Sequence, residues 1–148
     1  MTRGRRLEYA IAALAVIGLG VSGYLTYVHY AGLHPLCLAS GGCEQVQSSH
    51  YAKLFGAPVA LLGVCGYVLI LGSLLVRGEL GRAAGALVGL VGFGFSVYLT
   101  YLELFRIHAV CQWCVASAVL MTAIAALAVA RLLSVPAGLS PSARSARS

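Results

Sequence analysis

Five cysteines carry most of the chemistry open to this sequence: Cys37, Cys43, Cys65, Cys111 and Cys114. Cys111-Gln-Trp-Cys114 is a C-x-x-C, a spacing that lets two sulfurs close a disulfide across one helical turn. At a helix start, unpaired backbone N–H groups and the helix dipole favour a thiolate, which is both a nucleophile and a good leaving group. Cys37 and Cys43 flank Leu-Ala-Ser-Gly-Gly, a flexible stretch able to close a second disulfide and then swing. Cys65 sits alone among apolar residues and reads as packing. Metal binding is the natural rival, since His29, His34, His50 and His108 accompany these cysteines. Zinc sites pair short ligand spacings on rigid turns, however, and Cys37-x5-Cys43 with four scattered histidines does not supply them. The expectation is thiol–disulfide chemistry with no metal.

The elements that must position these cysteines are membrane helices. The chain has 148 residues, 60% hydrophobic and 9% charged, with a mean hydropathy of +0.91. So few charges could not cover a soluble domain of this length. The apolar residues gather into four runs of about the 20 residues that a hydrocarbon core requires, at 9–30, 58–76, 83–104 and 111–133. The expected fold is all-α: a polytopic four-helix membrane bundle over 1–133, with an outer loop at 31–57. The tail at 134–148, rich in Pro, Ser and Ala, reads as disordered. The first run is too long for a signal peptide and lacks a small-residue cleavage site, so it reads as an uncleaved helix.

Basic residues set the orientation. Arg3, Arg5 and Arg6 precede the first run, Arg77 and Arg82 link the second to the third, and Arg131, Arg144 and Arg147 end or follow the fourth. Only Lys53 and Arg106 belong to the other side. Both termini are therefore expected in the cytoplasm. Four cysteines then face the periplasm or its equivalent, where disulfides persist. The net charge of +6 is largely topological and calls for no nucleic acid. A C-x-x-C on that face, with a second pair beside it, favours redox work over purely structural disulfides.

The two outward helices end alike. Gly18, Gly20, Ser22, Tyr24, Leu25, Thr26 and Tyr27 recur 74 positions later as Gly92, Gly94, Ser96, Tyr98, Leu99, Thr100 and Tyr101, and the same offset carries Cys37 onto Cys111. Duplication and shared membrane-packing composition both account for this. Either way, similar helix ends deliver two cysteines to one face.

Four features together resemble the bacterial branch of the vitamin K epoxide reductase family, over nearly the whole membrane portion. They are the loop pair Cys37-x5-Cys43; the stretch from Cys43 through Val46 and Ser49 to Tyr51; Phe55-Gly56-Ala57-Pro58 leading into a helix with Gly63 and Tyr67; and Cys111-Gln-Trp-Cys114 opening the last helix. A DsbB-type quinone reductase also has four helices and two outer pairs, but carries its C-x-x-C in the first outer loop, the reverse of the order here.

The resemblance implies a relay in a bacterial inner membrane. A separate periplasmic thioredoxin-like (DsbA-like) protein, reduced by making disulfides in its clients, hands electrons to Cys37 and Cys43. One loop thiolate attacks the Cys111–Cys114 disulfide, most simply at Cys111. Cys114 takes the quinone-facing role, the acceptor being menaquinone or ubiquinone. Vertebrate members hold the vitamin K oxygens with an asparagine and a tyrosine; the matching places here look like Val59 and Ala118, both apolar, which favours a plain quinone. A disulfide-stapled or metal-handling membrane scaffold is the non-enzymatic alternative.

Other residues carry weaker readings. Ser49 matches a family serine and stands either as a thiolate's hydrogen-bond donor or as a helix cap. Residues 45–53 are expected to form a short amphipathic capping helix with Val46 and Tyr51 inward. Phe55 and Tyr67 are quinone-pocket candidates, with core packing the alternative. Trp113 reads as an interfacial anchor, and Glu103 and Arg106 as a surface pair.

Overall fold

The computed structural model describes residues 3–33, 53–54 and 57–134. Four helices dominate: α1 (Arg3–Ala31), α2 (Val59–Leu75), α3 (Glu79–Leu102) and α4 (Gln112–Leu133). Each packs on the next, and α4 closes the ring against α1. Before α2, a two-residue ladder pairs β1 (Lys53–Leu54) with β2 (Ala57–Pro58), antiparallel. The architecture is the all-α membrane bundle that the hydropathy pattern implies. Cys37, Cys43, Ser49 and Phe55 lie outside the described residues. So does the capping helix expected at 45–53, save for Lys53, which belongs to β1.

Three helical stretches are long and apolar enough to cross a membrane: Arg3–Ala31, Glu79–Ile107 and Gln112–Leu133. Helix α2, at 17 residues, stands at the lower limit of what a hydrocarbon core of about 30 Å requires. Large apolar side chains such as Leu69, Leu90 and Val119 are exposed on the outside of the bundle. Lipid solvates them as well as a protein core would. Helices α1 and α3 also begin ahead of their apolar segments. Helix α1 reaches back through Arg6 and Arg5 to Arg3, and α3 begins at Glu79. Hydropathy marks only the immersed part of a helix; backbone hydrogen bonding carries on into the interface wherever no breaker intervenes. The break between α2 and α3 is Gly78, at φ 94°, a conformation that glycine adopts without strain.

Water does not drive these helices together once they are in lipid, so close packing must. The core comprises Ile11, Ala15, Tyr67, Ile70, Ala86, Met121, Ile124 and Ala128. Two glycines of the internal echo let neighbours approach. A Cβ on Gly18 would overlap the Tyr67 ring, and one on Gly92 would lie 2.7 Å from Met121 Sδ. The echo extends to hydrogen bonds: Thr26 Oγ1 donates to the Ser22 carbonyl (2.8 Å), and Thr100 Oγ1 to the Ser96 carbonyl (2.9 Å). Cys65, by contrast, is exposed on α2 rather than packed. It lies two residues from the fully buried Tyr67, and helical residues two apart do not share a face.

Arg131, buried near the end of α4, donates to Glu8 Oε1 near the start of α1 at 2.7 Å. That ion pair brings the two extremes of the described helices to one end of the bundle. Cys111 and Cys114 lie at the other.

Candidate active site

The site begins where α3 stops being an α-helix. Residues Glu103–Ile107 form one π turn, in which each bond spans an extra residue. The Glu103 carbonyl accepts the N–H of His108 and also that of Ala109, at 3.1 Å. His108 ends the turn in the left-handed region, at φ 54° and ψ 33°, an uncommon conformation for a residue with a side chain. The chain then runs extended into Cys111 (φ −95°, ψ 118°), the N-cap residue of α4. Its carbonyl accepts the Val115 N–H at 3.0 Å. Cys114 follows in the first turn, as the C-x-x-C spacing requires.

The two cysteines occupy different surroundings. Cys111 has no exposed surface and packs among Ile107, Ala109, Trp113 and Cys114. Cys114 is partly buried and faces a cavity. The Cys114 thiol is hydrogen-bonded both to Cys111 and to the carboxylate of Glu103. Glu103 Oε2 also accepts the backbone N–H of Cys111, at 3.4 Å. The pair thus rests against a buried carboxylate, only 5% exposed, and a thiol beside such an acceptor can give up its proton along with its electrons.

The cavity, about 140 Å³, is lined by all four helices. Helix α4 contributes Cys114, Ser117, Ala118 and Met121; α2 contributes Val59, Gly63 and Tyr67; α3 contributes Phe95 and the π turn after it Glu103; and α1 contributes Ser22 and Leu25. Tyr67 is fully buried, with its hydroxyl 2.9 Å from Ser117 Oγ and 3.2 Å from the Ser117 carbonyl, to which it donates. The wall is mostly apolar with a few convergent polar groups, the usual make-up of a small-molecule site. Val59 and Ala118, the two apolar replacements noted in the sequence, both line it. Trp113 turns toward α1, its ring 5.2 Å from that of Tyr24 at 49°. It therefore fastens α4 to α1 rather than serving only as an interfacial anchor.

Of the residues singled out from the sequence, Cys111, Cys114 and Tyr67 come together here. Sequence reasoning missed Glu103, which it placed at the surface with Arg106. Arg106 is exposed, and the Glu103 carboxylate turns inward instead. The available signal was an acid at the end of an apolar run, since ionisable groups within membrane segments mark functional sites by default.

A C-x-x-C at a helix start, an acceptor carboxylate and an apolar cavity are parts that a membrane thiol oxidoreductase needs. A model of the vitamin K epoxide reductase family matches residues 9–129, from the first turns of α1 almost to the end of α4, and the chain belongs to that family of membrane thiol–disulfide oxidoreductases that use a quinone.

Proposed function

We propose that this protein regenerates disulfides for a thioredoxin-like partner and passes the electrons to a membrane quinone. The observation that carries the reading is Cys114, the partly buried partner of the buried Cys111, on the wall of a cavity of a size to take a quinone ring. An apolar cavity of about 150 Å³ is known to take up benzene, so about 140 Å³ has the size of one six-membered ring. Cys114 stands where it can deliver electrons to such a ring. Tyr67 and Ser117 offer hydroxyls, and Glu103 a carboxylate, for the ring's oxygens. The apolar Val59 and Ala118 favour a plain quinone over vitamin K epoxide.

The rest of the relay follows from the family resemblance. Electrons enter from the partner at Cys37 and Cys43, and a loop thiolate attacks the Cys111–Cys114 disulfide at Cys111. The bond then breaks toward Cys114, which loses its electrons to the quinone, menaquinone or ubiquinone, as the disulfide re-forms. Ser49 supports a loop thiolate, and Phe55 joins Tyr67 at the quinone. The enzyme sits in a bacterial inner membrane with both termini cytoplasmic, and the basic residues clustered at the Glu8–Arg131 end support that orientation.

The purified protein in detergent, given a soluble quinone and a reduced thioredoxin-like protein, should consume quinone, and Cys114→Ala should abolish that consumption. Undiminished turnover in Cys114→Ala would overturn the relay.

A further inference from the structure

We propose that Glu103 is a catalytic base of this site: its carboxylate takes the thiol proton of Cys114 and delivers it to the quinone oxygen. The proposal rests on the reading that Cys111 and Cys114 reduce a quinone in the cavity. Three observations at Glu103 carry it. Its side chain is buried, although a carboxylate is costly to remove from water unless something holds it there. It accepts hydrogen bonds from the Cys114 thiol and from the Cys111 backbone. It also lines the cavity that Cys114 faces, so one carboxylate both touches the thiol and borders the space a quinone ring would fill.

The π turn explains how it gets there. Glu103 is the first residue of that turn, and π turns concentrate at functional sites. The carbonyl of the same residue holds His108 and Ala109, the segment that leads into Cys111. Side chain and main chain of Glu103 therefore fix both ends of the stretch that sets the distance between carboxylate and sulfurs.

The step balances as follows. Two S–H bonds break and one S–S bond forms between Cys111 and Cys114. The electron pair released goes to the quinone, and each of the two quinone oxygens gains one proton. Glu103, ionised at the outset, takes the Cys114 proton and passes it to the nearer oxygen. The Cys111 proton is released to water at the membrane surface, and the far oxygen takes its proton from the same source. Glu103 ends each cycle ionised and is neither oxidised nor reduced. Among the described residues, the titratable groups that interact with it are Cys111 and Cys114, and Tyr67 of α2 shares the cavity wall. Tyr67 is already engaged with Ser117, which leaves the carboxylate as the acceptor in contact with the thiol.

The test separates proton transfer from scaffolding. Glu103→Gln keeps an oxygen for the Cys111 N–H but cannot take a proton. Single-turnover oxidation of pre-reduced protein by a soluble ubiquinone analogue should slow about 100-fold or more, in the range of general-base catalysis, and its rate should then climb with pH as hydroxide replaces the base. Glu103→Asp should keep the wild-type pH profile at reduced rate, and it provides the same comparison if the Gln variant folds poorly. Reduction of the Cys111–Cys114 disulfide by dithiothreitol without quinone, followed by thiol trapping, should go to completion in all three proteins. A Gln variant as fast as wild type with the same pH profile would overturn the proposal while leaving the quinone reading intact. So would an Asp variant with the hydroxide-dependent profile. Wild-type protein whose reduced pair is not oxidised by quinone would instead bring down the parent reading, and this one with it.

Discussion

Cys111 and Cys114 are three residues apart, yet they differ in what can reach them. Cys111 is sealed among Ile107, Ala109 and Trp113, while Cys114 opens on the cavity. A thiolate arriving at Cys111 therefore needs the start of α4 to open, and local opening has a free-energy cost. This asymmetry predicts unequal alkylation. In a variant with Cys37, Cys43 and Cys65 changed to serine, N-ethylmaleimide should modify reduced Cys114 faster than Cys111 by about tenfold or more, a ratio that corresponds to an opening cost of about 1.4 kcal/mol. Peptide mass spectrometry over a time course measures the ratio, and equal rates would show that Cys111 is as open as its neighbour. The C-x-x-C itself was legible from residue spacing alone. The difference between its two members was not, because it comes from the chain folding back through His108 to cover one of them.

At the scale of elements, the apolar runs locate all four helices because burial in lipid imposes length and composition together. They do not reveal a π turn, which has no compositional signature. That single turn is why Glu103 and Arg106, three apart and suited to pairing on a regular helix, part company. The internal echo, read from the sequence as matching residues, turns out to be matching contacts: a glycine under a neighbour's side chain, then a threonine bonded back to a serine carbonyl. The two glycines should not tolerate substitution equally. Gly18 faces the Tyr67 ring, a rigid group tied to Ser117. Gly92 faces the end of Met121, a flexible side chain that can move aside. Gly18→Ala should therefore cost about 1–3 kcal/mol, the range for overpacking a core, and Gly92→Ala distinctly less. Thermal unfolding of both variants in one detergent measures the order. Gly18→Ala should also slow quinone reduction, because displacing Tyr67 reshapes the cavity wall.

Over the whole molecule, charge and chemistry separate to opposite ends. Among the described residues, Arg3, Arg5, Arg6, Arg77, Arg82 and Arg131 belong to the end where Glu8 meets Arg131, and the cysteine pair lies at the other. The sequence revealed this division because topology is set by basic residues near the helix ends, which need no tertiary information to be read. The cavity was not legible in the same way. It forms where small residues of four separate segments, Ser22, Gly63, Gly92 and Ala118 among them, happen to face one another, and hydropathy does not register such a coincidence. The charge division does predict which end meets which compartment. Two exposed positions report on it in a variant whose native cysteines are all serine: His108→Cys beside the active site, and Leu133→Cys at the end of α4. The proposed orientation, with the Glu8–Arg131 end in the cytoplasm, predicts that a membrane-impermeant maleimide applied to intact spheroplasts labels position 108 and reaches position 133 only after permeabilisation. The reverse pattern would place the cysteine pair in the reducing cytoplasm, where a disulfide-generating enzyme could not keep its product oxidised. Transferring the charge should move the topology with it. Neutralising Arg3, Arg5, Arg6, Arg77 and Arg82 together should let position 133 become labelled in part of the population, because the orientation depends on the summed bias rather than on any one contact.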